Sequence, residues 1–196
     1  MYRALTWWLL SRGVPVDDPD AVAQHVSGPV IEVGTDPDDP WVSVDGQDVS
    51  AAIRTREVSG AVSAAARVPQ VRARLIAMQR EIIARARAEG RGIVAEGRDI
   101  GTVVAPDAVV KVFLTASEKA RATRRTAELS TDPAVTVGTT RAEQARRDRI
   151  DAPQMAKAPD AVDIDSTMFS LDEVVEMIAG LAIQRANLPD TARTTR

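Results

Sequence analysis

The run Gly92–Ile93–Val94–Ala95–Glu96–Gly97–Arg98–Asp99–Ile100–Gly101–Thr102 constrains this chain more than any other: an apolar segment stops at a glycine-flanked charged turn. Shortly after it, Val109–Val110–Lys111–Val112–Phe113–Leu114 reads as a second apolar strand. That strand opens onto Thr115–Ala116–Ser117 and a helix carrying Arg121, Arg124 and Arg125. Strands that deliver charged groups at their carboxyl ends, beside helix N-termini, are how α/β proteins build phosphate and nucleotide sites. Nowhere does the sequence contain a glycine-rich loop ending in Gly-Lys-Ser/Thr.

Composition narrows the chemistry. At 196 residues and 44% hydrophobic content the chain supports one sizeable core with room for a small insert. A net charge of −3 argues against a nucleic-acid polymer held by global charge. Arginine nevertheless clusters at 121–125 and 141–149, which suits small anions gripped by bidentate forks. There is no cysteine, hence no disulfide framework, thiolate metal site or cysteine nucleophile. The one histidine, His25, precedes a Ser-Gly-Pro turn and reads as a solvated loop residue, which argues against a serine–histidine triad. Leu5–Leu10 lacks the cleavage pattern of a signal peptide and no segment reaches membrane-spanning length; a cytoplasmic protein with no membrane partner is expected.

The hydrophobic pattern predicts a helix over 3–12 ended by Gly13, then a short helix from Pro19 capped by Asp17. Short β segments follow at Val30–Val33, Trp41–Val44 and Gln47–Val49, with Asp45–Gly46 as a hairpin turn. Mixed helical character runs from Ser50 to Arg67. Pro69 starts a long helix with Val71, Leu75, Met78 and Ile82 on one face and Gly90 beyond its end. Core strands are predicted over 93–96 and 109–114, a helix from Ser117 to about Leu129, and a polar loop over 130–138. Thr140–Arg141–Ala142–Glu143 has capping-box spacing and would open a basic helix through Arg149. A third strand falls at Ala161–Ile164, and a second capping box at Ser170–Glu173 opens a helix to about Ala186. Strands spaced by helices predict an α/β fold, a parallel sheet flanked by helices.

At this point the residues resemble a known family. Glu96–Gly97–Arg98–Asp99–Ile100–Gly101–Thr102–Val103–Val104, Pro106–Asp107–Ala108 and Val110–Lys111–Val112–Phe113–Leu114–Thr115–Ala116 are similar to bacterial cytidylate kinases. So are Met1–Tyr2–Arg3, Val62–Ser63, Pro69–Gln70–Val71–Arg72, Gln79–Arg80, Arg147–Asp148–Arg149–Ile150–Asp151, Asp160–Ala161–Val162 and Asp165–Ser166–Thr167. The resemblance implies a P-loop nucleoside monophosphate kinase fold that moves the γ-phosphoryl group of ATP, with Mg²⁺, to CMP or dCMP. It implies a helical start over 1–28, an NMP-binding insert with a small antiparallel β segment over 29–68, core at 69–130, lid at 131–158, core again at 159–186, and a flexible tail at 187–196. ATP and CMP or dCMP are then the partners, and the full-length protein is expected to be a monomer.

Residue roles follow from the same resemblance. Ser63, Arg72 and Asp99 match the cytosine-recognition residues; a carboxylate that accepts from the exocyclic amine would reject the carbonyl uracil places there. Arg3 and Arg98 match residues that grip the monophosphate, with Tyr2 beside the nucleotide. Arg147 and Asp151 match lid residues, Asp151 facing the sugar, and Arg124 matches an arginine near the ATP end. Arg98, Arg147 and Arg124 are thereby implied in catalysis, with no metal ligand supplied by these residues. The bland readings are helix-surface arginines at 121 and 125, small-residue packing for Ser63, surface placement for Arg72, and packing for Trp7 and Trp8.

Two departures stand out. In the family a strand, a Gly-Lys-Ser/Thr loop and a helix precede the segment matched by Met1–Tyr2–Arg3. The resemblance therefore implies a missing unit of roughly 30–40 residues, and impaired or absent activity for the chain as it stands. After Asp151, where the family carries another phosphate-binding arginine, this chain has Gln154, with Lys157 as another source of charge. Kinase is the first expectation; a non-catalytic CMP-binding or interaction protein is the alternative.

Overall fold

Helix α1 (Tyr2–Ser11) buries one stripe, Ala4, Leu5, Trp8 and Leu9, at helical spacing. It ends where the sequence predicts: the Gly13 and Val14 amides donate back to Leu10 and Leu9, and Gly13 turns the chain at φ +67°. The structure, a computed structural model, describes residues 1–128 and 136–187. These form two compact units, Met1–Ala95 and Glu96 onward.

In the first unit, α2 (Pro19–His25) is capped by Asp18 rather than Asp17. Its carboxylate accepts from the amides of Asp20 and Ala21 at 3.0 and 3.2 Å, the reach available to the residue directly before a first-turn proline. Strands β1 (Ile31–Val33), β2 (Val42–Val44) and β3 (Gln47–Asp48) form an antiparallel meander in which Val44 faces both Ile31 and Gln47. Asp45 (φ 52°) and Gly46 (φ 78°) make its two-residue turn, both left-handed as a primed hairpin turn requires. A 3₁₀ turn at Ala52–Arg54 leads to α3 (Arg56–Ala66), capped by Thr55. Helix α4 (Pro69–Ala88) follows with Pro69 in its first turn. On its predicted face Val71 and Leu75 are fully buried, Met78 packs against the core, and Ala86 continues the stripe. Leu5, Leu9, Val22, Val44 and Val49 complete one contiguous core.

In the second unit the strand predicted over 93–96 does not form. Residues 91–96 have no regular structure and Val94 is 94% exposed. An apolar run becomes a strand only with a ladder partner, and none pairs with this one among the described residues. The chain then makes a π-helical turn, Ile100–Val104, closed by the Ala105 amide on the Ile100 carbonyl at 2.7 Å. Strand β4 (Val112–Thr115) pairs parallel with β5 (Val162–Asp165), Leu114 opposite Ile164. The predicted strand 109–114 thus begins three residues later. Lys111 ends the run before it, its ammonium donating to the Pro106 carbonyl and to both Asp160 carboxylate oxygens at 2.9 and 2.8 Å.

Helix α5 (Glu118–Glu128) follows β4, and α6 (Val137–Asp151) packs against it. The capping box predicted at Thr140–Glu143 is not the one used. Thr136 caps α6 reciprocally with Thr139, while Thr140 is buried and bonded to the Thr126 hydroxyl at 3.1 Å. Of the loop predicted over 130–138, residues 130–135 lie outside the described residues and 137–138 are already helical. Helix α7 (Leu171–Ala186) carries the predicted box, Ser170 with Glu173. Of the predicted tail, only Asn187 falls within the described residues. No described helix is long and apolar enough to cross a membrane.

Candidate functional site

In the second unit, the charged turn before the π-helical turn and the C-terminal half of α6 assemble an arginine cluster. Arg98 reaches Asp151 at 3.2 Å and Asp148 at 3.6 Å, and its Nη1 points at the Met155 sulfur at 2.9 Å. Asp148 and Asp151 lie one turn apart, so both carboxylates share the α6 face that meets Arg98. The other oxygen of Asp148 takes Arg121 of α5 at 2.5 Å. Arg147, four residues before Asp151, shares that face. Its Nε is buried and makes no hydrogen bond. Burial, then the nearby Arg98 and Arg125 charges, hold its guanidinium below the ordinary arginine value, with Asp151 and Asp148 opposing the shift. Arg98, Arg121 and Arg147 thus gather at Asp148 and Asp151, a concentration of guanidinium groups suited to a phosphate dianion.

Asp99 follows Arg98 and is 9% exposed. Its carbonyl accepts from the Val103 amide at 2.8 Å, which ties this position to the π-helical turn. Arg124 lies elsewhere. Its guanidinium donates to the Ser166 hydroxyl at 3.0 Å and to the carbonyls of Ser166 and Phe169 at 2.6 and 2.9 Å, holding the chain between β5 and α7. Lys157 pairs with Asp163 of β5.

In the first unit, α1 presents Tyr2 and Arg3. Arg3 Nη1 donates to the Ile53 carbonyl at 3.1 Å and the Ser59 hydroxyl at 2.7 Å. Ser63 sits one turn beyond Ser59 on α3 and is buried, and Arg72 stands half-buried in the first turn of α4. The structure therefore links Arg3 to α3 through Ser59. In the second unit it gathers Arg98, Arg147 and Asp151 and leaves Arg124 apart.

Arg121 and Asp148 are the cluster members that the sequence reading left out. Arg121 reads there as helix surface, and Asp148 only as part of a matched run. The available signal was spacing: Arg121 and Arg125 form one i,i+4 stripe, and Arg147, Asp148 and Asp151 fall on adjacent turns of the next helix. Among the described residues no three carboxylate, histidine or cysteine side chains converge as a metal cage. The two cluster carboxylates are held by arginines, so these residues do not fit a protein-held Mg²⁺.

A parallel strand pair joined through α5 and α6, with an arginine cluster built from the 96–99 turn and those two helices, is the layout of an α/β nucleotide-binding protein. The comparisons narrow this to one family. The chain belongs to the cytidylate kinase family, whose model matches residues 1–184, and its fold is that of the P-loop nucleoside monophosphate kinases. It is 45% identical over 188 residues to a cytidylate kinase of Streptomyces avermitilis, covering 94% of this chain and 79% of that protein. A cytidylate kinase of Streptomyces coelicolor is 48% identical over 188 residues, with the same coverage. One of Geobacillus kaustophilus is 43% identical over 190 residues, covering 94% of this chain and 83% of its own length.

Proposed function

We propose that this member of the cytidylate kinase family moves the γ-phosphoryl group of ATP to CMP or dCMP. An oxygen of the CMP or dCMP phosphate attacks the γ-phosphorus of ATP, the bond to the β,γ-bridging oxygen breaks, and CDP or dCDP and ADP leave. The observation that carries this reading is the gathering of Arg98, Arg121 and Arg147 around Asp148 and Asp151. Phosphoryl transfer requires positioning and positive charge around the moving group more than covalent help from the protein. Arg98 and Arg147 are assigned to phosphoryl oxygens, Asp151 to the sugar, Arg3 to the monophosphate, and Tyr2 to the nucleotide beside it. Ser63, Arg72 and Asp99 are assigned to cytosine, and Arg124 to the ATP end, where it acts by fixing residues 166–169. Mg²⁺ would enter with ATP and supply positive charge to the reaction, with none of the residues assigned above holding it.

Titration calorimetry with CMP and UMP tests the reading on the 196-residue chain. CMP is expected to bind at least about tenfold tighter than UMP, and Asp99→Ala to remove most of that preference. Equal affinity for the two nucleotides would sink the cytosine assignment. A coupled ADP-release assay on the same sample reads turnover. These 196 residues hold no Gly-Lys-Ser/Thr run, so turnover is expected to lag far behind binding.

A further inference from the structure

We propose that Asp148 is a positioning residue for phosphate: by bridging Arg98 and Arg121 it holds two guanidiniums from different elements side by side, and so makes Arg121 a further phosphate-binding group. This rests on the phosphate assignment made above for the cluster. One Asp148 oxygen lies 3.6 Å from Arg98 and the other 2.5 Å from Arg121. Asp148 is only partly exposed, as are both arginines it bridges. Arg98 is fixed a second time by Asp151 at 3.2 Å. The described contacts of Arg121 give its guanidinium no other carboxylate, while its own carbonyl accepts from the Gln144 side chain at 3.5 Å.

Like charges repel, and Arg147 already sits among Arg98 and Arg125 with its Nε unpaired. Without a shared anion, two such side chains would swing apart into water and lose their common aim. The carboxylate supplies that anion while leaving each planar guanidinium further N–H groups for a phosphate. Because Arg121 comes from α5 and Asp148 from α6, the same bridge sets the register of the helix pair at the cluster. Thr126 with Thr140, and Glu118 with Arg141, tie that pair at other points, so the fold does not depend on Asp148 alone.

Two effects of removing the carboxylate have opposite signs. Asp148→Asn deletes a negative charge from an anion site, which by itself strengthens phosphate binding. It also releases Arg121 and loosens Arg98, which weakens it. Calorimetry of the 196-residue chain with inorganic phosphate and with CMP decides between them. Wild type, Asp148→Asn, Asp148→Glu, Arg121→Gln and the double variant Asp148→Asn/Arg121→Gln are compared, with circular dichroism as the check on helix content.

If Asp148 positions the pair, Asp148→Asn weakens both ligands about tenfold despite its more positive charge. Asp148→Glu then recovers most of the loss, and the double variant is no weaker than either single one, as groups acting as a unit require. Equal or tighter phosphate binding by a folded Asp148→Asn variant overturns the proposal, as does full additivity in the double variant. The outcome for the broader reading is separate. Wild type that binds phosphate with this variant pattern, yet does not prefer CMP to UMP, keeps the inference and removes the cytosine assignment. A clear preference for CMP with no response to Asp148→Asn does the reverse. Wild type that binds neither phosphate nor CMP overturns both.

Discussion

Asp45 gathers three parts of the first unit onto one carboxylate. One oxygen accepts from the Val30 amide at 2.8 Å, the other from the Trp8 indole at 2.9 Å, and Arg12 stands 4.0 Å away while lying over the Trp8 ring. The Val30 hydrogen bond, then the Trp8 bond and the Arg12 charge, hold its carboxyl below the usual aspartate value. A depressed folded pKa stabilises the fold above the ordinary carboxylate range and loses that contribution as pH falls through the folded value. Melting temperature should therefore drop as the solution is acidified below about pH 4, and Asp45→Asn should flatten that drop while lowering the melting temperature at pH 7. An unchanged acid limb in the variant would remove Asp45 from the account. The indole that Asp45 fixes also crowds Gly28, where a Cβ would lie 2.4 Å from the Trp8 ring. Gly28→Ala should cost about 1–3 kcal/mol in denaturant unfolding, since a buried ring held at one edge cannot step aside. The Asp45–Gly46 turn is legible in the sequence because left-handed backbone is a local demand. The Trp8–Asp45 bond is not, because 37 positions separate partners that only the meander brings together. Arg98, Arg147 and Asp151 come from the resemblance, whereas the bridge from Asp148 to Arg121 requires knowing that α5 and α6 lie side by side.

At the scale of elements, periodicity located helices well and their starts less well. Ser170–Glu173 and Thr140–Glu143 satisfy the same spacing rule, yet only the first is a cap. Thr140 is drawn inward to the Thr126 hydroxyl, and α6 begins a turn earlier on a Thr136–Thr139 box that lacks the acidic partner of the usual pattern. Thr136→Ala should therefore cost about 1 kcal/mol and speed amide exchange in the first turn of α6, whereas Glu143→Ala should leave that turn unchanged. Equal effects would restore the later start. Strands show a different limit. The runs at 93–95 and 112–114 are both short and apolar, and nothing local separates them. Pairing does: β4 has β5 beside it and a lysine clamp at its entrance, while 93–95 has no ladder partner among the described residues. Lys111→Met should loosen the entrance of β4, read as faster exchange at the Val162 amide, which donates to the Lys111 carbonyl at 2.9 Å.

At the scale of the molecule, the two units bury apolar surface very unequally. Leu5, Leu9, Val22, Val44, Val49, Val71 and Leu75 form one contiguous, almost fully buried core in the first unit. The described part of the second unit buries chiefly small or isolated side chains, Val104, Ala122, Ala158, Ile164 and Val174. It leaves Leu114 of β4 at 51% and Leu171 of α7 at 78% exposure. Its helix pair α5–α6 is tied by polar contacts, Glu118 to Arg141, Thr126 to Thr140 and Arg121 to Asp148, rather than by an apolar seam. Burial of apolar surface is the main stabilising term, at about 25 cal/mol per Å², while exposed ion pairs contribute about 1 kcal/mol or less. Local opening should follow the same distribution. In hydrogen exchange read by mass spectrometry, peptides from α1 and α4 are expected to be the slowest, those from β4 and β5 faster, and those from α6 faster still. Leu75→Ala should cost about 2–5 kcal/mol and accelerate α4 together with α2 and α3, the helices that pack against it. Should α6 prove as protected as α1, its polar contacts are worth far more than isolated pairs. The charge-bridged arginine cluster would then be a structural support as well as a phosphate site.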